Sequence, residues 1–171
     1  MNLVAFLTVL VFNSFGGATA VSSSLCPQHD HDSWLMSMQS NPPQFPHCFP
    51  PNCPPATSSD AGGVVYRFAM KNPVDAQDFL SHYELGLAPR SNPCRRCSLS
   101  VYRSLDSARK KLRELRDRSP DRFGSYIAEG SLTAAHGKIK QEGADPDHHE
   151  WWAYDGVIRH APFRVVESLE R

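Results

Sequence analysis

The tetrapeptide Cys94-Arg95-Arg96-Cys97 runs without a break into Ser98-Leu99-Ser100-Val101-Tyr102, and that run leads into a capped, charged stretch ending near Leu115. A close cysteine pair, a short apolar strand and a helix in succession mark the centre of a folded domain rather than a tail. Ser104 stands where a helix N-cap belongs, and Leu105, Ala108, Leu112 and Leu115 recur at helical spacing on one stripe. Arg109, Lys110, Lys111, Arg113 and Arg116 occupy the other face, and Ser119-Pro120 supplies the stop, because proline disfavours helix in the residue before it.

The flanking sequence completes an α+β pattern. Residues 64–70 alternate, with Val64, Tyr66, Phe68 and Met70 on one face of a strand and Arg67 on the other. Asn72-Pro73 reads as a helix start and Gly86 as a stop, which predicts a helix through Asp78-Phe79-Leu80 to Leu85. Strands are expected over 126–132, 138–141, 151–154 and 163–166, with Asp155-Gly156 as a tight turn between the last two. Helices early and strands late predict an α+β domain over 64–171, a small mostly antiparallel sheet with two main helices.

Before that domain the text changes character. Residues 3–12 form an apolar run shorter than the roughly 20 residues a spanning helix needs, and Ala18-Thr19-Ala20 offers a small-x-small cleavage pattern. Residues 1–20 therefore read as a signal-peptide-like leader, although it contains no Lys or Arg. The mature chain then carries no membrane span, and is secreted or periplasmic if the leader is processed and cytoplasmic otherwise. Residues 21–63 are Ser-rich and then Pro-rich, with Phe49-Pro50-Pro51-Asn52-Cys53-Pro54-Pro55 as the densest part, and a disordered linker is expected. His29-Asp30-His31-Asp32 within it reads as a solvated polar run.

Charge and cysteines narrow the function classes. Lys plus Arg and Asp plus Glu are 18 each, and no aromatic is interleaved in the basic helix, so there is no strong case for nucleic acid. The chain has five cysteines, Cys26, Cys48, Cys53, Cys94 and Cys97. In an oxidising compartment they imply disulfides, within the Cys94/Cys97 pair or across to the linker, and one cysteine is left over. In a reducing one, Cys94 and Cys97 could hold one edge of a zinc ion, completed by Cys48 and Cys53 or by a histidine. Asp147-His148-His149-Glu150-Trp151-Trp152-Ala153-Tyr154 is the densest functional-looking stretch, with His148 and His149 as titratable candidates and Trp151, Trp152 and Tyr154 as aromatic contacts for a partner.

A second candidate site is distributed along the chain. Arg67 lies on the first strand, Ser98-Leu99-Ser100 on a later one, and Glu142 or Glu150 near the last ones. In this Arg, Ser-x-Ser, Glu order the stretch 64–167 resembles the ADP-ribosyltransferases, small α+β domains that bind NAD in a split sheet. The resemblance implies that Arg67 and Ser100 hold the dinucleotide and that Glu142 is the carboxylate that positions the ribose for attack. The family usually places that glutamate in a Gln-x-Glu or Glu-x-Glu pair, whereas here Gln141 and Glu142 are adjacent and Glu150 follows two histidines. The segment from Phe79 to Gly156 also resembles small bacterial proteins of unknown function, which implies no activity.

Two functions are therefore expected in order. The first is a small secreted interaction or binding domain stapled by disulfide or zinc at Cys94 and Cys97. The alternative is an NAD-binding enzyme of the ADP-ribosyltransferase type with Arg67, Ser100 and Glu142 as its site. The cofactors these readings imply are zinc and NAD, and the partner is unspecified.

Overall fold

The computed structural model describes residues 42–119 and 122–169. The leader at 1–20, Cys26, the His29-Asp30-His31-Asp32 run and the linker as far as residue 41 lie outside the described residues.

The fold is α+β. Seven strands form one sheet: β1 (Ser59–Asp60), β2 (Gly63–Ala69), β3 (Leu99–Tyr102), β4 (Tyr126–Leu132), β5 (Gly137–Gln141), β6 (His148–Ala153) and β7 (Phe163–Ser168). They lie in the order β1-β5-β6-β3-β2-β4-β7, and every neighbouring pair is antiparallel. Two helices, α1 (Pro93–Arg96) and α2 (Leu105–Arg118), belong to the same face of this sheet. The expectation of an antiparallel α+β sheet with two helices holds.

Alternation along the strands divides the side chains between two cores. On one face Val65, Leu99, Val101, Leu132, Ile139, Trp151 and Phe163 pack with Phe79. On the other, Tyr102 and Ile127 pack with Ala108 and Leu112 of α2, joined at the margin by Tyr66, Phe68 and Leu105. The helix forms as its apolar stripe requires: the Ser104 side chain accepts from the Ser107 N–H, and the last turn closes at Ser119. Arg109 ties its outer face to β7, donating from Nε and Nη2 to the two carboxylate oxygens of Glu167 at 2.7 and 2.6 Å.

Three local expectations are corrected. The helix predicted from Asn72 to Leu85 shrinks to a 3-10 turn over Ala76–Phe79. Its cap is Asp75, whose carboxylate accepts from Gln77 N at 2.9 Å, and the buried Asp78 carboxylate accepts from Met70 N at 2.6 Å and Asp75 N at 3.2 Å. Side chains thus close the turn, and Leu80 is already extended. Asp155-Gly156 is a turn, but β6 and β7 do not pair, because β3, β2 and β4 lie between them.

The third difference is the attachment of residues 42–63 to the domain. Phe45 packs on Tyr154 with ring centroids 4.7 Å apart, and Asp155 N donates to Gln44 O. Cys53 is disulfide-bonded to Cys94, and β1 pairs with β5 through Ser59↔Ile139 and Asp60↔Lys138. Prolines exclude long helix or central strand here, yet they permit a strap of turns held by side chains and one covalent bond.

Candidate functional site

The sheet is unevenly sewn beside β2. With β4 it shares seven register pairs, from Gly63↔Leu132 to Ala69↔Tyr126, whereas with β3 it shares only Tyr66↔Tyr102. Beyond that pair a cleft of about 1150 Å³ opens, its wall formed by residues of α1 and α2. Strand alternation sends Ser100 and Tyr102 of β3, and His148 and Glu150 of β6, to the same face as its floor. Ser98, two residues before Ser100, joins them.

Glu150 is the centre of this floor. It is 3% exposed, its Oε1 accepts from Arg95 Nε at 3.0 Å, and its Oε2 accepts a short hydrogen bond from the Ser98 hydroxyl. A buried carboxylate persists only with such partners. His148 lies beside it, with Nε2 3.9 Å from Glu150 Oε1 and 3.2 Å from Ser100 Oγ, and with Nδ1 2.8 Å from the Glu142 carbonyl oxygen. The Tyr102 ring covers the imidazole at 5.3 Å, and burial pushes the Tyr102 hydroxyl well above its ordinary range.

Arg67 bridges the unsewn seam. Its Nε donates to Asp78 O at 3.0 Å and its Nη1 to Ser100 O at 2.9 Å, while the guanidinium lies 5.3 Å from the centre of the Phe79 ring. Burial draws its pKa down to about 10, opposed by the charges of Asp78 and Glu150. It therefore remains a cation at neutral pH. Two of its five N–H groups are engaged in these bonds. At the rim stand Arg96, Lys111 and Arg122. Burial lowers His82, also in the cleft, while Glu150 acts to raise it. The Asp145 carboxyl is held low by the Asp147 N–H and the Ser107 hydroxyl.

The structure brings Arg67, Ser100 and Glu142 into one cleft, as it does His148. Glu142 has the rim position: its carboxylate lies 3.9 Å from Lys140 Nζ, and only its backbone carbonyl meets His148. Glu150, the register partner of Ser100, holds the central one. His149 points to the opposite face of the strand, where its Nδ1 lies 3.0 Å from Asp147 O.

The aromatic contact surface expected from Trp151, Trp152 and Tyr154 is a correction. They are 0, 2 and 9% exposed. Trp151 Nε1 donates to His136 O at 3.0 Å and Trp152 Nε1 to Cys94 O at 2.9 Å, so both indoles face inward on opposite sides of β6. Both faces are covered here, which leaves neither ring available to a partner.

Nor do Cys94 and Cys97 form a metal edge. Cys94 has its sulfur bonded to Cys53, and a disulfide sulfur offers no thiolate. Cys97 is free and buried, its thiol donating to Pro93 O at 3.3 Å and raised by that burial. Among the described residues no three His, Cys, Asp or Glu side chains are grouped to hold a metal ion.

Sequence reasoning missed Arg95 and underweighted Glu150. The available signal was parity: Glu150 is two residues from His148 on one strand, so both share a face, while Glu142 lies just beyond the end of β5. No family model, curated protein or solved structure matches the chain.

Proposed function

We propose that the cleft binds NAD or a close dinucleotide relative and transfers its ADP-ribosyl group, with Glu150 rather than Glu142 as the working carboxylate. The observation that carries this reading is the convergence of Arg67, Ser100 and a buried glutamate at the seam between β2 and β3. In such a reaction the bond from the ribose C1′ to the nicotinamide nitrogen breaks, and nicotinamide leaves as a neutral molecule with the bonding pair. The acceptor attacks C1′ and gives up its proton. Positive charge develops on the ribose, and a preorganised carboxylate opposite it lowers the barrier. Arg67 and the rim cations Arg96, Lys111 and Arg122 suit the two phosphates.

The binding-module reading retains its staple in the Cys53–Cys94 bond but loses the aromatic surface that was to meet a partner. Export is proposed on the same disulfide, which suits an oxidising compartment. No helix among the described residues is long and apolar enough to cross a membrane. The intact mass of protein from its native host tests export: removal of residues 1–20 supports it, and a retained leader opposes it.

Titration calorimetry of the full chain with NAD tests the enzyme reading. The parent is expected to bind, and Arg67→Met to bind at least about tenfold more weakly, the loss expected for a charged hydrogen bond. Glu150→Gln should keep binding while nicotinamide release falls about 100-fold or more. A parent with no affinity for NAD, or an Arg67→Met protein that binds equally well, contradicts the proposal.

A further inference from the structure

The hydrogen bonds around His148 fix its tautomer. Nδ1 lies 2.8 Å from the carbonyl oxygen of Glu142, which can only accept, so Nδ1 carries the proton. In the neutral ring Nε2 is then a bare acceptor, and it lies 3.2 Å from Ser100 Oγ. The Ser100 hydroxyl must therefore donate to it. A nucleophile bonded to a base, and that base oriented by a third group, is the arrangement that activates a serine. Here the third group is a backbone carbonyl.

The surroundings complete the arrangement. Ser100 is exposed to the cleft, whereas the His148 side chain is 14% exposed beneath the Tyr102 ring. Glu150 Oε1, 3.9 Å from Nε2, would stabilise the imidazolium formed once the serine proton has moved. The Arg67 guanidinium, bonded to the backbone carbonyl of Ser100 itself, sets a fixed positive charge at the nucleophile's own residue, which would offset the negative charge that develops on the substrate carbonyl oxygen.

We propose that Ser100 and His148 are a nucleophile and general base acting on carboxylic esters that carry an anionic group, an activity separate from ADP-ribosyl transfer. Oγ attacks the ester carbonyl as its proton passes to His148 Nε2. The carbon–alkoxide bond then breaks, and the alkoxide leaves with that proton. Water, deprotonated by the same nitrogen, attacks the acyl-serine, releases the acid and returns the proton to Oγ. The substrate is anionic because the five cations that line the cleft, Arg67, Arg95, Arg96, Lys111 and Arg122, outnumber its four carboxylates.

Incubation of the full chain with a fluorophosphonate probe, the adduct being located by mass spectrometry, tests this directly. A single adduct on Ser100 is expected, lost in Ser100→Ala and unchanged in Ser131→Ala on the exposed surface of β4. The labelling rate should fall about 100-fold or more in His148→Gln, the range of general base catalysis. The 4-nitrophenyl hemisuccinate should be cleaved about tenfold or more faster than 4-nitrophenyl acetate, from electrostatic steering alone. An unlabelled parent, an adduct elsewhere, equal labelling of His148→Gln or no preference for the anionic ester overturns the proposal. A chain that binds NAD but takes no label overturns this inference alone. One that is labelled at Ser100 but does not bind NAD overturns the transferase reading alone.

Discussion

The two flanks of β2 differ in how they are held: seven register pairs join it to β4 and one joins it to β3. Toward β4 the ladder runs for seven pairs and is covered on both faces, by Val65, Ala128 and Phe163 on one side and Phe68, Ile127 and Leu112 on the other. Gly130 belongs to that flank, because a Cβ there would lie 2.6 Å from the Phe163 ring. Toward β3 there is one pair, and beyond it side chains replace the ladder: Arg67 bonds to Ser100 O and Asp78 O, and Glu150 to Arg95 and Ser98. No buried side-chain polar atom among the described residues lacks a partner. Both flanks are therefore satisfied, but only the second uses groups that a ligand could engage without unfolding the sheet.

The largest effect that would break this contrast is loss of the Cys53–Cys94 bond, which fastens the strap to α1, a wall of the cleft. Its ends are 41 residues apart, and loop-closure entropy for such a separation gives a loss of about 4 kcal/mol in chemical denaturation after reduction. Affinity for NAD should fall with it, since α1 carries Arg95 and Arg96.

A pair of substitutions separates the two flanks. Ile127→Ala on the sewn flank removes a fully buried side chain and should cost about 3 kcal/mol, with the folded protein binding NAD as before. Arg67→Met on the open flank should cost about 2 kcal/mol, leaving two carbonyls without their donor, yet abolish most NAD affinity. If Ile127→Ala weakens binding as much as Arg67→Met does, the flanks are not functionally distinct.

The smallest effect is a pH dependence located on the sewn flank. The hydrogen bonds from Arg109 hold the Glu167 carboxyl below its ordinary value. A depressed folded-state pKa means that its contribution is present above the unfolded value of about 4.3 and is lost as pH falls through the folded one. Acid titration of stability should therefore show a smaller decline in that window for Glu167→Gln than for the parent.

The sewn flank was legible because alternation and the helix stripe are periodic signals: Tyr66 and Phe68, Leu105, Ala108 and Leu112 all occupy the elements their spacing predicts. The order of the strands was not, since nothing in the spacing of residues 151–166 says that three strands separate β6 from β7. The turn at Ala76–Phe79 defeated the helix reading because Asp75 and Asp78 offer the backbone local partners that compete with helical ones. In the site, Arg67 and Ser100 could be named from motif order alone. Choosing Glu150 over Glu142 required the register Ser100↔Glu150, and pairing Cys94 with Cys53 required the path of the strap.

The open seam between β2 and β3 is the proposed meeting place of this protein and its ligand. Backbone amide chemical shifts of the isotopically labelled chain during titration with NAD report on this seam residue by residue. Saturable shifts are expected at Arg67–Met70, Ser98–Tyr102 and His148–Glu150, with β4 and β7 unmoved. Shifts confined to β4 and β7, or none at saturating NAD, would contradict that placement.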